Sequence, residues 1–232
     1  TDGGKTWKNM GLKETHHVGR IVIHPSNPDI VYVAAMGRFW AANPERGVFK
    51  TSDGGKTWQH VLFLDDDTGC IDLALDPANA ETLYTAAYQV RRDAFSGGNP
   101  AVQTGPKAGL YKTTDGGKTW QKLTQGLPNR PFGRCGISVY RKNPNVVFAV
   151  VQTDKTAVPV AGQAQSEKLG PEFGGIFRSD DGGLHWQHLN SLVPRSFYYG
   201  QIPVAPSEEK QIYVLGISFH DYKNAGKTFT KS

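Results

Sequence analysis

One short phrase is written four times along this chain: Thr1-Asp2-Gly3-Gly4-Lys5-Thr6-Trp7, Ser52-Asp53-Gly54-Gly55-Lys56-Thr57-Trp58, Thr114-Asp115-Gly116-Gly117-Lys118-Thr119-Trp120 and Asp180-Asp181-Gly182-Gly183-Leu184-His185-Trp186. A fifth, degenerate copy, Asn224-Ala225-Gly226-Lys227-Thr228-Phe229, ends it. Self-similarity at a period of roughly 50 to 65 residues marks a repeat architecture, in which each unit buries its apolar face only by stacking on a neighbour. That constraint fixes the fold class before any single residue is considered.

Each copy is flanked alike. A β-prone run precedes it (Gly47-Val48-Phe49-Lys50, Gly109-Leu110-Tyr111-Lys112, Gly175-Ile176-Phe177-Arg178), and a polar-apolar alternation such as Trp120-Gln121-Lys122-Leu123 follows. Two short strands joined by Asp-Gly-Gly make a β-hairpin: the glycines take positive φ, the Asp carboxylate accepts turn amides, and the Trp covers the hairpin. Asp2, Trp7, Asp53, Trp58, Asp115, Trp120, Asp181 and Trp186 are therefore assigned to structure. Two more strands precede each hairpin, as in Ile21-Val22-Ile23 to Ile30-Val31-Tyr32-Val33, joined by Asn/Pro/Asp turns. No amphipathic helical period intervenes. The chain reads as all-β, with about four four-stranded propeller blades carrying these hairpins. The expected divisions are an outer strand of a preceding blade at 1–15 and blades at 16–64, 65–125, 126–192 and 193–232.

Ser/Thr-x-Asp-Gly-Gly-x-x-Trp resembles the Asp-box, or BNR repeat, of sialidases, xyloglucan-active glycoside hydrolases, the sortilin ectodomain and photosystem II assembly factors. The wider phrase from Gly19 through Tyr32, with Glu45-Arg46-Gly47-Val48-Phe49-Lys50 and the box, is similar to large bacterial sortilin-like, "glycosyl hydrolase BNR repeat" proteins. The resemblance implies part of a larger propeller, of roughly seven to ten blades, in a secreted or periplasmic protein. It leaves activity open, because one propeller fold hosts unrelated functions. Four blades sit at the small end of closed propellers, and an open fan exposes surfaces that further blades of a longer chain, or a partner chain, would cover.

A formal charge of +5 is too small to argue for nucleic acid, and no stretch approaches the length of a membrane span. Cys70 and Cys135 lack metal-ligand spacing and read as free buried thiols. In an up-and-down blade the Asp-boxes and Asn/Pro turns share one side, and the long loops share the other. The long loops carry most of the arginines, Arg20, Arg38, Arg46, Arg91, Arg92, Arg130, Arg134 and Arg195, and aromatic residues outside the boxes. Guanidinium forks suit carboxylate, sulfate or phosphate, and aromatic planes stack on sugar rings or anchor peptides. Arg38, Phe39, Trp40, Arg46, Arg91, Arg92, Arg134, Arg195 and Tyr198 are the ligand-binding candidates, for a glycan or an acidic protein segment.

Several chemistries are excluded. Gly-Lys-Thr lacks the earlier glycine and the following helix of a phosphate-binding loop. Gln201-Ile202-Pro203 stands where the sialidase resemblance calls for an arginine. The Asp-Gly-Gly hairpin accounts for its aspartates without calcium, and adjacent His16 and His17 point opposite ways in an extended chain, so no metal or cofactor is implied. Glycoside hydrolysis needs two carboxyl groups about 5 to 10 Å apart. Asp65, Asp66, Asp67 and Asp93 are the loop-borne candidates for it, with Asp72 near an inner strand start. Two functions follow: a binding or scaffold module using the loop face, or part of a glycoside hydrolase, closer to the xyloglucan-active enzymes than to sialidases, whose cleft crosses that face.

Overall fold

The computed structural model describes residues 2–95, 98–156, 169–195, 197–216, 218–224 and 230–231. These form four antiparallel four-stranded sheets in chain order, with one 3-10 turn at Pro171–Phe173 among the described residues. Blade 1 comprises β1 (His17–Ile23), β2 (Val31–Gly37), β3 (Arg46–Thr51) and β4 (Gln59–Leu62). Blade 2 comprises β5 (Thr68–Leu75), β6 (Leu83–Gln89), β7 (Gly109–Thr113) and β8 (Gln121–Lys122). Blade 3 comprises β9 (Phe132–Val139), β10 (Val147–Thr153), β11 (Gly175–Ser179) and β12 (Gln187–Asn190). Blade 4 comprises β13 (Val204–Ala205), β14 (Glu208–Leu215), β15 (Phe219–Tyr222) and β16 (Thr230–Lys231).

The second strand of each of the first three blades is mostly apolar and buried along nearly its whole length, because both of its faces are covered. Val147 through Thr153 of β10 are all buried. Apolar cores lie between consecutive blades. Tyr32, Ala34 and Val48 of blade 1 meet Cys70, Leu73 and Tyr111 of blade 2. Tyr84 and Leu110 of blade 2 meet Ile137, Ala149 and Phe177 of blade 3. Phe148 and Ile176 of blade 3 meet Ile212, Val214 and Tyr222 of blade 4. On the outward side of β1, Ile21 and Ile23 are each 58% exposed.

The Asp-box hairpins form as turn chemistry demands. Gly54 and Gly55 sit at φ 70° and 84°, where a side chain would be strained, and the later boxes repeat this. The Asp53 carboxylate accepts the Thr57 amide at 2.9 Å, the Thr57 hydroxyl at 2.6 Å and the Thr51 hydroxyl at 2.8 Å. Thr113, Asp115 and Thr119 repeat the set, as do Ser179, Asp181 and His185. The first box glycine also donates its amide to the first-to-second turn of its own blade, Gly54 to Asp29, Gly116 to Glu81 and Gly182 to Asn145. Boxes and Asn/Pro turns therefore share one side.

The same glycine carries a link between blades. The Gly116 carbonyl accepts the Tyr32 hydroxyl at 3.1 Å and the Lys50 ammonium at 2.9 Å, both from the preceding blade. The Gly182 carbonyl accepts Tyr84 at 2.9 Å and Lys112 at 2.7 Å. Tyr32 pairs with Lys50 and Tyr84 with Lys112 across their strands, so each cation also lies over its tyrosine ring. In blade 3 the pair becomes Phe148 and Arg178, and Arg178 reaches forward to Glu209 of blade 4 at 3.2 Å.

Residues 2–15 carry no strand among the described residues, and Trp7 is 91% exposed. Of the degenerate fifth box only Asn224 is described, and the rest lies outside the described residues.

Replacing Tyr84 by Phe removes one of two donors to a buried carbonyl. The expected cost is about 1 kcal/mol in urea unfolding, and an unchanged midpoint would contradict the link. Bonding from Thr57 first, then from Thr51, holds the Asp53 carboxyl down to about 2, against an ordinary 3.8, and Asp115 and Asp181 are also lowered. Each folded value lies below the unfolded one, so this stability is present above about pH 4 and is lost as pH falls toward 2. Urea midpoints measured from pH 5 to 2.5 should fall, and Asp115→Asn should flatten that fall.

Candidate functional site

The long loops lie together on the side opposite the boxes, and a buried arginine organises them. Arg46, at the start of β3, is fully buried. Its guanidinium donates to the carbonyls of Arg38 at 2.5 Å, Asp67 at 2.7 Å, Ala41 at 3.3 Å and Val90 at 3.4 Å. Three separate loop segments are thus tied to one cation. Arg46, one of the ligand-binding candidates, thus directs both terminal guanidinium nitrogens to backbone carbonyls. Asn43 reinforces the 38–43 loop: its side-chain amide donates to the carbonyls of Arg38 at 3.2 Å and Ala41 at 3.0 Å. Its own backbone amide donates to the Asp66 carbonyl.

That scaffold presents Phe39 and Trp40. Phe39 stacks on His17, ring centroids 4.0 Å apart and nearly parallel, while Trp40 stands 62% exposed. The Phe39 carbonyl accepts the Arg92 amide at 2.8 Å, which joins this loop to the next blade's. The Arg92 guanidinium lies over the Tyr198 ring at 5.5 Å, and the Arg195 guanidinium lies over it at 5.0 Å. Arg134 donates to the Tyr198 carbonyl at 3.2 Å, and the Tyr198 hydroxyl donates to the Gly98 carbonyl at 2.7 Å. Phe39, Trp40, Arg92, Arg134, Arg195 and Tyr198 therefore form one connected strip across the blades. Phe95 and Tyr199 are exposed beside it in sequence.

The other candidates do not join the strip. Arg38 pairs with Glu14 at 2.6 Å, Arg91 with Asp67, and Arg130 with Asp154 at 2.7 Å. Among the loop carboxylates, Asp65 accepts the amides of Thr68 at 2.7 Å and Asp67 at 3.0 Å and pairs with Lys107 at 3.3 Å. Burial acts to raise the Asp65 carboxyl, and these bonds outweigh it, leaving it below its ordinary value. Asp93 accepts the Phe95 amide at 2.8 Å, and Asp66 is exposed. Asp65, Asp67 and Asp93 thus brace their loops.

The carboxylate near the inner strand start stands apart from the loop-borne ones. Asp72, near the start of inner strand β5, is 6% exposed, accepts Arg20 of β1 at 2.8 Å and accepts the Ile137 amide of β9 at 3.2 Å. Burial pushes its carboxyl up against the opposing pull of Arg20. It joins three blades beside a cavity of about 370 Å³ lined by the inner strands and Gln201. Polar residues on two strands otherwise read as inner were the only available signal. Cys70 and Cys135 are free and buried, their thiols pushed up to about 12 by desolvation. No cluster of metal-ligating side chains occurs among the described residues. No helix among them is long and apolar enough to cross a membrane.

The family model described as sortilin, neurotensin receptor 3, matches residues 1–169. An oligoxyloglucan-reducing end-specific xyloglucanase of Emericella nidulans is 24% identical over 96% of this chain and 31% of its own length. A xyloglucanase of a Paenibacillus species is 26% identical over 79% of this chain and 17% of its own length. A solved structure of a GH74 enzyme from Niastella koreensis superposes with a TM-score of 0.61 at 21% identity, over 92% of this chain and 30% of that one. The chain spans less than a third of the length of each.

Proposed function

This chain belongs to the Sortilin-Vps10 family, and from that premise we propose that it is the sugar-holding part of a propeller glycoside hydrolase acting on polysaccharide of the xyloglucan class. The single observation that carries the proposal is Trp40, a large indole exposed on a loop that Arg46 and Asn43 hold rigid. Sugar rings present apolar C–H faces, and a stacking plane whose backbone is already ordered loses little further freedom when it binds. The similarity to xyloglucanases over nearly the whole chain supports that class of substrate.

Hydrolysis needs a pair of carboxyl groups, one of them free to give a proton. Asp65 and Asp67 are engaged by cations, and Asp93 by a turn amide. We therefore assign these residues to loop support and the chain to substrate holding. The blades divide at 16–64, 65–125, 126–192 and 193–232 in this reading, and the protein meets its polysaccharide outside the cytoplasm.

Affinity electrophoresis of the purified protein through gels containing xyloglucan, mixed-linkage glucan or mannan tests the proposal, together with an assay of reducing-end release. Xyloglucan should retard the protein most, and Trp40→Ala should weaken that binding about fivefold, as losing roughly 1 kcal/mol of stacking implies. Equal retardation of the Trp40→Ala variant, or none by any polysaccharide for folded protein, would overturn it.

A further inference from the structure

Resting on that sugar-holding role, we propose that Arg92, Arg134 and Arg195, gathered around Tyr198, form a subsite for an anionic substituent of the glycan, a uronate carboxylate or a sulfate ester. Three guanidinium groups meet at one residue: Arg92 and Arg195, from two loops, lie over the Tyr198 ring, and Arg134, on β9, bonds its backbone carbonyl. Among the described residues none of the three forms an ion pair, whereas Arg20, Arg38, Arg91 and Arg130 on the same face do, and Arg46 is spent on backbone carbonyls. The loop face thus engages its other arginines and leaves these three together. Like charges brought together repel, and an arrangement of this kind is relieved by an anion.

The geometry is held rather than incidental. Tyr198 is fixed at its hydroxyl by Gly98, a carbonyl that also accepts Arg92 at 3.3 Å. Arg195 sits at φ 42°, an uncommon conformation for a residue with a side chain, and its carbonyl accepts the amides of both Tyr198 and Tyr199. Beneath the cluster the Tyr88 ring is buried, and its hydroxyl has no hydrogen-bond partner among the described residues. It lies within the electrostatic reach of Arg134 and Arg92. Planar guanidinium forks bind carboxylate and sulfate through paired N–H bonds, and Tyr199 beside them is exposed enough to meet a sugar ring.

Calorimetric titration of the purified protein with three oligosaccharides of equal length, a neutral xyloglucan fragment, an oligogalacturonate and a sulfated galactan, tests the subsite. At least one acidic ligand should bind tenfold or more tighter than the neutral one at low salt, with affinity falling as salt rises; which one identifies the substituent. Arg92→Gln and Arg195→Gln should each cut the acidic-to-neutral preference fivefold or more. Lys56→Gln, on the opposite box side, should leave it unchanged. Neutral binding with no acidic preference would overturn the subsite and leave the sugar-holding role standing. Absence of all binding would overturn both. A loss in Lys56→Gln equal to that in Arg92→Gln would reduce the preference to net charge and would also overturn it.

Discussion

The carbonyl of the first box glycine is the point through which one blade holds the next. It has two lone pairs, and at Gly116 and Gly182 both donors come from the preceding blade, a tyrosine hydroxyl and a lysine ammonium. Positive-φ glycines shape the turn, and the aspartate pins it by accepting one amide and two hydroxyls. A charged donor to a partly buried carbonyl is stronger than a neutral one, so the lysine adds direction to what the apolar cores supply in bulk. The repeated phrase is thus both the local turn and the connector between blades.

With one side committed to connection, the other is free to vary. Its loops are long, and they are ordered by Arg46, whose two terminal guanidinium nitrogens replace the regular hydrogen bonds such loops lack. A buried arginine without a carboxylate partner is tolerable because four carbonyl dipoles surround it. Trp40 and the arginines around Tyr198 inherit that rigidity, which is what a binding face on loops requires.

The boxes, the four sheets and the two-sided division of loops were legible in the sequence because each depends on chemistry within a few residues: Gly φ, Asp capping and strand alternation. The site was legible only in outline. Arg46 and Arg92 look alike as loop arginines, and what separates them is contact with Val90 and Tyr198, dozens of residues away. The pairing of Arg20 with Asp72 spans 52 positions and two blades, so it was invisible to any local pattern. In the leading segment the box phrase is intact, and Asp2 makes the same local turn bonds.

A crystal structure of the protein with a xyloglucan oligosaccharide bound is the most direct test of this account. It predicts sugar rings laid along the loop face, one of them stacked on Trp40, with Arg46 unmoved beneath. Sugar seated instead in the inner cavity beside Asp72, with the loop face bare, would contradict it.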